Sequence, residues 1–107
     1  MDTQNMQQIV DQWVKKPGHN VTYFPPFEMI AQLTEETGEV AREISHLHGH
    51  KKKKEGEKTD GLETELGDLL FALCCIANVH NINLSSAFEK SMEKKNTRDA
   101  DRFKNPS

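Results

Sequence analysis

LTEETGEV at residues 33–40 returns 29 positions later as LETELGDL at residues 62–69. Both segments have leucine first, acids at the fourth and seventh positions and glycine at the sixth. On a helix with about 100° per residue, the first acid of each pair lies within the apolar stripe and the second lies at its edge. The repeated acids are Glu36, Glu39, Glu65 and Asp68. The repeat predicts two helices that pack antiparallel, with these four carboxylates on the inner side.

Four inward carboxylates need a counter-charge, because like charges at a partly desolvated position are costly unless they are paired or protonated. Acids three positions apart share one helix face, so each helix offers two oxygen ligands to the same point. Oxygen-only ligation favours Mg²⁺, with Mn²⁺ as the alternative, and neither motif has the histidine of di-iron bundles. Mg²⁺ pairs readily with substrate phosphates, which favours a phosphate ester or anhydride as substrate. The alternative is a solvated acidic face.

Apolar residues elsewhere repeat at three and four positions, and no segment of useful length has the strand period. We expect helices over residues 2–15, from Pro25-Pro26 to about His48, from a cap at Thr59 or Asp60 to about His80, and from a cap at Asn83 through Met92. The predicted fold is all-α: a four-helix bundle in one domain, residues 1–107, completed by oligomerisation. We expect a flexible loop at 49–61 and a tail at 104–107.

Composition narrows the function classes. The 107 residues carry a net charge of −3, and 35% are hydrophobic, so the core is thin and a partner subunit is expected to complete it. The longest apolar run, residues 69–77, is too short for a bilayer, and the N-terminus lacks a signal pattern. We therefore expect a cytoplasmic protein that binds neither membranes nor nucleic acid. Cys74 and Cys75 are adjacent within this apolar run, which predicts core thiols.

The two acidic motifs resemble the metal-binding halves of the MazG-like nucleoside triphosphate pyrophosphohydrolases. This all-α superfamily also includes dimeric dUTPases and phosphoribosyl-ATP pyrophosphohydrolase. The resemblance extends to YFPP at 23–26, to Asn78 and to KKNTRDADRF at 94–103, and thus covers nearly the whole chain from Tyr23 to Phe103. It points to the small single-domain branch of the family.

The resemblance implies Mg²⁺-dependent hydrolysis of a nucleoside triphosphate to a monophosphate and pyrophosphate, as in cleaning of the nucleotide pool. It assigns the metal and catalytic roles to Glu36, Glu39, Glu65 and Asp68. It makes substrate-site candidates of Asn78, Lys94, Asn96, Arg98 and Asp99. A basic helix end that complements the helix dipole is the alternative for the cations. The protein is expected to be a dimer or a tetramer; a non-enzymatic helical interaction module with a structural cation is the alternative function.

Several further residues have more than one interpretation. Glu43 lies in the apolar stripe without an acidic counterpart in the repeat, and is a candidate extra ligand. Glu35 faces away from the stripe, which favours solvent exposure over activation of water. Trp13 and Phe24 suit the core, an interface or stacking on a base. Lys51–Lys54 suit a solvated loop or closure over a polyphosphate.

Overall fold

The computed structural model describes residues 1–49 and 61–98, which form four α-helices without a strand. The helices are α1 (Thr3–Val14), α2 (Pro26–His48), α3 (Leu62–Val79) and α4 (Leu84–Thr97). The all-α four-helix prediction is confirmed. Most of the predicted loop at 49–61 and the whole tail at 104–107 lie outside the described residues.

Local sequence explains where three of the helices begin. The side chain of Asp2 caps α1 by accepting a hydrogen bond from the backbone nitrogen of Asn5 at 2.8 Å. Pro26 occupies the first turn of α2, where a missing N–H is tolerated. Asn83 caps α4 by accepting from the backbone nitrogen of Ser86 at 3.1 Å, as predicted.

The start of α3 differs from the prediction. Its N-cap is Gly61, which makes no side-chain cap, rather than Thr59 or Asp60, which lie outside the described residues. Gly61 has a φ of 88°, in the region that glycine enters without steric cost. Backbone geometry, and not a capping side chain, determines this boundary.

The core lies where α1 crosses α3 and the first turn of α2. It consists of Val10, Val14, Met29, Cys74 and Cys75, and all five are buried. Both cysteines are free, which confirms the prediction of core thiols. This small cluster leaves much apolar surface uncovered in the single chain.

The helices are unequally packed. The largest interhelical contact joins α2 to α3, whereas the main helix contact of α4 is with α1. None of the residues of α4 is buried, and Phe88 on this helix is 64% exposed. Within the described residues no single helix is long and apolar enough to span a membrane; α3 and α4 pass that test only as a pair, bent by 103°.

Candidate active site

Three acids converge between α2 and α3. One carboxylate oxygen from each of Glu36, Glu65 and Asp68 lies within 4.8 Å of the other two. Glu65 is buried, Glu36 is half-buried and Asp68 is exposed, so the cluster extends from the helix interface to the surface. Glu36 Oε2 is itself buried and accepts no hydrogen bond within the described structure.

Burial and like charge both act on Glu36. Desolvation raises its pKa most, and the charges of Glu39, Asp68 and Glu35 raise it further, in that order. A carboxylate in these surroundings is stabilised by a cation or by protonation. The donor set contains only carboxylate oxygens, the ligands that hard divalent cations prefer. The residues present therefore fit a divalent metal ion.

Glu65 has additional support from its place in the fold. It lies in the first turn of α3, where the positive end of the helix dipole favours a negative charge. It is only 6% exposed, as expected for an acid placed inside an apolar stripe. The helix-wheel angle that Glu65 shares with Glu36 accounts for their meeting.

Two other acids on α2 lie beside this cluster. Glu39 is half-buried and close enough for its charge to raise the pKa of Glu36, but it does not belong to the group of three oxygens. Its role as the fourth ligand stays a prediction. Glu43, one turn further along, is 4% exposed and lies outside the same group. Its role as an extra ligand also stays a prediction.

An apolar cavity of about 110 Å³ lies between α1, the segment before α2, and helices α2 and α3. Gln32, one turn before Glu36, and Phe71, one turn after Asp68, both line it. Trp13 meets Phe71 edge to face, with ring centroids 5.9 Å apart. The remaining lining residues are Val14, Val21, Thr22, Tyr23, Phe24, Met29 and Cys75. Trp13 and Phe24, for which the sequence analysis gave several alternative roles, thus line the same cavity.

The amide of Asn78 is hydrogen-bonded within the protein. Its Nδ2 donates to the backbone oxygen of Gln7 and to the hydroxyl of Tyr23, both at 3.0 Å. Its Oδ1 accepts from Gln7 Nε2 at 3.0 Å. The contact with a sugar or base predicted for Asn78 stays a prediction. Sequence reasoning missed Gln7, because its partners are more than 70 positions away and no local pattern marks it.

Three of the predicted substrate-site residues lie at the C-terminal end of α4. Lys94, Asn96 and Arg98 are exposed there, and the backbone nitrogen of Arg98 closes the helix on the oxygen of Lys94 at 2.8 Å. Asp99 lies outside the described residues. Because α4 packs mainly on α1, no extensive contact brings this end to α2 within the described part of the chain.

Known proteins share this arrangement of helices. The family profile of the MazG nucleotide pyrophosphohydrolase domain matches residues 24–103. The chain is 51% identical over 81 residues to the uncharacterized protein YpjD of Bacillus subtilis (strain 168), a match that spans 76% of this chain and 73% of that protein.

Two crystal structures superpose closely. One is of YpjD from Bacillus subtilis, described as a candidate pyrophosphatase; it has 41% identity and a TM-score of 0.77, and covers 91% of this chain and 97% of its own. The other is of a Bacillus-conserved MazG protein, described as a nucleotide pyrophosphohydrolase. It has 40% identity and a TM-score of 0.75, over 94% of this chain and 96% of its own.

Proposed function

Because the chain belongs to the MazG nucleotide pyrophosphohydrolase family, we propose that it hydrolyses nucleoside triphosphates, ribo- or deoxyribo-, to a monophosphate and pyrophosphate with Mg²⁺ as cofactor. The observation that carries this proposal is the convergence of Glu36, Glu65 and Asp68 within 4.8 Å. Hydrolysis adds the hydroxyl of water to the α phosphorus. It breaks the bond from that phosphorus to the bridging oxygen; pyrophosphate leaves, and the remaining proton of the water is released to pyrophosphate or solvent.

The acids of α2 and α3 hold the metal in this proposal, with Glu39 as the fourth ligand and Mn²⁺ as the alternative ion. Bound Mg²⁺ supplies charge neutralisation for the phosphates and lowers the pKa of water. The buried oxygen of Glu36 supports this role, since it has no hydrogen-bond donor among the described residues. The exposed Asp68 leaves the cluster open toward solvent, where the phosphates approach.

The nucleobase occupies the aromatic cavity in this proposal. Its volume of about 110 Å³ and its apolar lining suit a flat ring, and Trp13 and Phe24 offer faces for stacking. Gln32 supplies an amide that can donate to and accept from a base edge. Because Gln32 and Glu36 lie one turn apart on α2, base and phosphates are bound side by side along the same helix.

A second copy of the chain completes the protein in this proposal. Both α2 and α3 expose large apolar residues along their apolar stripes. Ile44 is 46% exposed, Leu66 is 49% exposed and Leu73 is 39% exposed. Pairing α2 and α3 with those of a partner buries this stripe and makes a dimer. The partner's last turn of α4 then supplies Lys94 and Arg98 to the phosphates.

One experiment tests the reaction. The protein is incubated with a mixture of ribo- and deoxyribonucleoside triphosphates and Mg²⁺, and the products are separated by chromatography. Monophosphate together with pyrophosphate is the expected result. Release of orthophosphate would assign another phosphohydrolase activity. No turnover of any substrate would favour the alternative, a helical interaction module with a structural cation.

A further inference from the structure

A polar network joins α1, the segment before α2, and the junction of α3 and α4. Tyr23 is at its centre: its hydroxyl donates to Asp11 Oδ1 at 2.6 Å and accepts from Asn78 Nδ2 at 3.0 Å. Tyr23 is half-buried, and its side chain packs against the core and lines the aromatic cavity. The ring is therefore held by packing along its length and by two hydrogen bonds at its tip.

Asn78 connects this tyrosine to the rest of the network. Both hydrogens of its Nδ2 are used, one on Tyr23 and one on the backbone oxygen of Gln7. Asn78 also lines an open polar groove of about 670 Å³ between α1 and the α3–α4 turn. This groove and the aromatic cavity have no lining residue in common. Asn78 therefore acts on the cavity through Tyr23.

We propose that Asn78 is a positioning residue that fixes the Tyr23 wall of the aromatic cavity and so determines how well each nucleobase fits. This inference rests on the proposed function, because it takes the cavity to be the base site. Because Tyr23 is already held in one position, the protein loses little side-chain entropy there when a nucleotide binds. Loss of this restraint weakens binding and alters the preference for ring size, while the acids that serve the reaction stay in place.

Gln7 extends the network to α4 and defines the control. Its Nε2 donates to the backbone oxygen of Ile82 at 2.7 Å, and its Oε1 accepts from the backbone nitrogen of Leu84 at 2.8 Å. A change at Asn78 can thus loosen the start of α4 as well as Tyr23. The variant Asn83→Ala separates the two effects, because it removes the side-chain cap of α4 and leaves the Tyr23 hydroxyl bonds intact.

The test measures nucleotide binding by the fluorescence of Trp13, which lines the cavity and is the single tryptophan of the chain. Non-hydrolysable purine and pyrimidine nucleoside triphosphate analogues are titrated, with Mg²⁺, into the parent, Asn78→Ala, Tyr23→Phe and the double variant. We expect each single change to weaken binding by about two- to tenfold, the range for loss of one hydrogen bond, because both changes remove the bond between Asn78 and Tyr23 that holds the ring. The purine-to-pyrimidine ratio should shift, and the double variant should bind about as the weaker single one does.

Kinetics complete the test. Asn78→Ala and Tyr23→Phe should raise KM at nearly constant kcat, whereas Asn83→Ala should lower only the melting temperature. Additive effects of the two changes, or an unchanged base preference, would overturn the inference while leaving the proposed function intact. A parent protein that binds no nucleotide would overturn both. If Asn78→Ala does not fold, Asn78→Asp keeps the shape and Oδ1 but loses the donors, and the same criteria apply.

Discussion

At the scale of single residues, Glu36 is the clearest test of the metal site. Its pKa is raised by burial and by three neighbouring acids, so its charge destabilises the protein without metal. We expect Glu36→Gln to lower kcat/KM by about a hundredfold or more, which is about 2.7 kcal/mol. Mg²⁺ should raise the melting temperature of the parent and raise that of the variant much less. Calorimetry with and without Mg²⁺ measures this difference.

Glu35→Gln is the matched control for that substitution. Glu35 is the neighbouring acid on α2, is exposed, and contributes least of the three charges to the raised pKa of Glu36. Its replacement should leave the Mg²⁺-induced rise in melting temperature unchanged. Equal loss of this rise in the two variants would show a diffuse electrostatic effect instead of a ligand at Glu36.

Tyr23 provides a prediction about pH. Burial, and then the hydrogen bond to Asp11, raise the pKa of Tyr23 from 10.0 to about 12, while the bond from Asn78 lowers it. A raised pKa in the folded state means that this stabilisation is complete below pH 10 and is lost as the pH rises from 10 to about 12. As Tyr23 is the single tyrosine, the ultraviolet absorbance of tyrosinate follows it alone. We expect Asn78→Ala to raise the midpoint and Asp11→Asn to lower it; a folded parent that titrates at 10.0 would refute the network.

The sequence predicted that Glu36, Glu65 and Asp68 converge, although it placed Asp68 on the inner side and the structure leaves it exposed. It did not predict the tyrosine network, and the reason is the range of the interactions. Glu36 and Glu65 are predictable because helical periodicity and the repeat give their angles directly. The bonds between Gln7 and Asn78 join residues 71 positions apart, so only tertiary packing creates them. The fourth acid, Glu39, lies between these two cases. The helix face on which it lies was predictable, but the distance of its carboxylate from the other three was not.

At the scale of helices, the two glycines of the repeat are informative. A Cβ at Gly38 would meet no described atom within 4 Å, and the same holds for Gly67. Glycine inside a helix costs about 1 kcal/mol relative to alanine. We therefore expect Gly38→Ala to raise the free energy of unfolding by about 1 kcal/mol, measured by urea denaturation. Gly49→Ala is the contrast, since its Cβ would lie 2.7 Å from the backbone oxygen of Ser45 and should stabilise nothing.

Helix boundaries, like single residues, were predictable from the sequence where a local pattern marks them and unpredictable elsewhere. The cap at Asn83 was predictable because a side-chain acceptor three positions before a backbone donor is a local pattern. The start of α3 at Gly61 was not, because Gly61 has no side chain to cap the helix and its positive φ leaves no local sequence pattern. The direction of α4 was also not predictable from the sequence. Its apolar residues predict a helix, but they do not predict the bend of 103° between α3 and α4.

At the scale of the whole molecule, exposed apolar surface predicts assembly. We expect Leu66→Glu, which places a charge in the stripe of α3, to convert a dimer into monomers in analytical ultracentrifugation. Ile9→Glu is the matched control, because Ile9 is 48% exposed on α1 and Leu66 is 49% exposed. The control should remain a dimer. A monomeric parent, or equal dissociation of the two variants, would contradict the assignment of the interface to α2 and α3.

The position of α4 leads to a second prediction about assembly. Its basic C-terminal end has no extensive contact with α2 in the described chain, so Arg98 is expected to bind the phosphates of a nucleotide that is held at the acids of a partner. If so, Glu36→Gln and Arg98→Ala disable different halves of the same composite site. Mixing the two inactive proteins under conditions that exchange subunits should restore about a quarter of the parent activity, because half of the dimers are mixed and each has one intact site. If Arg98 serves its own chain, every site in the mixture keeps one lesion. Activity then stays at the level of the separate variants, and Arg98 acts at the site of its own chain. An Arg98→Ala variant that is itself fully active would instead leave the cations with a role at the helix end only.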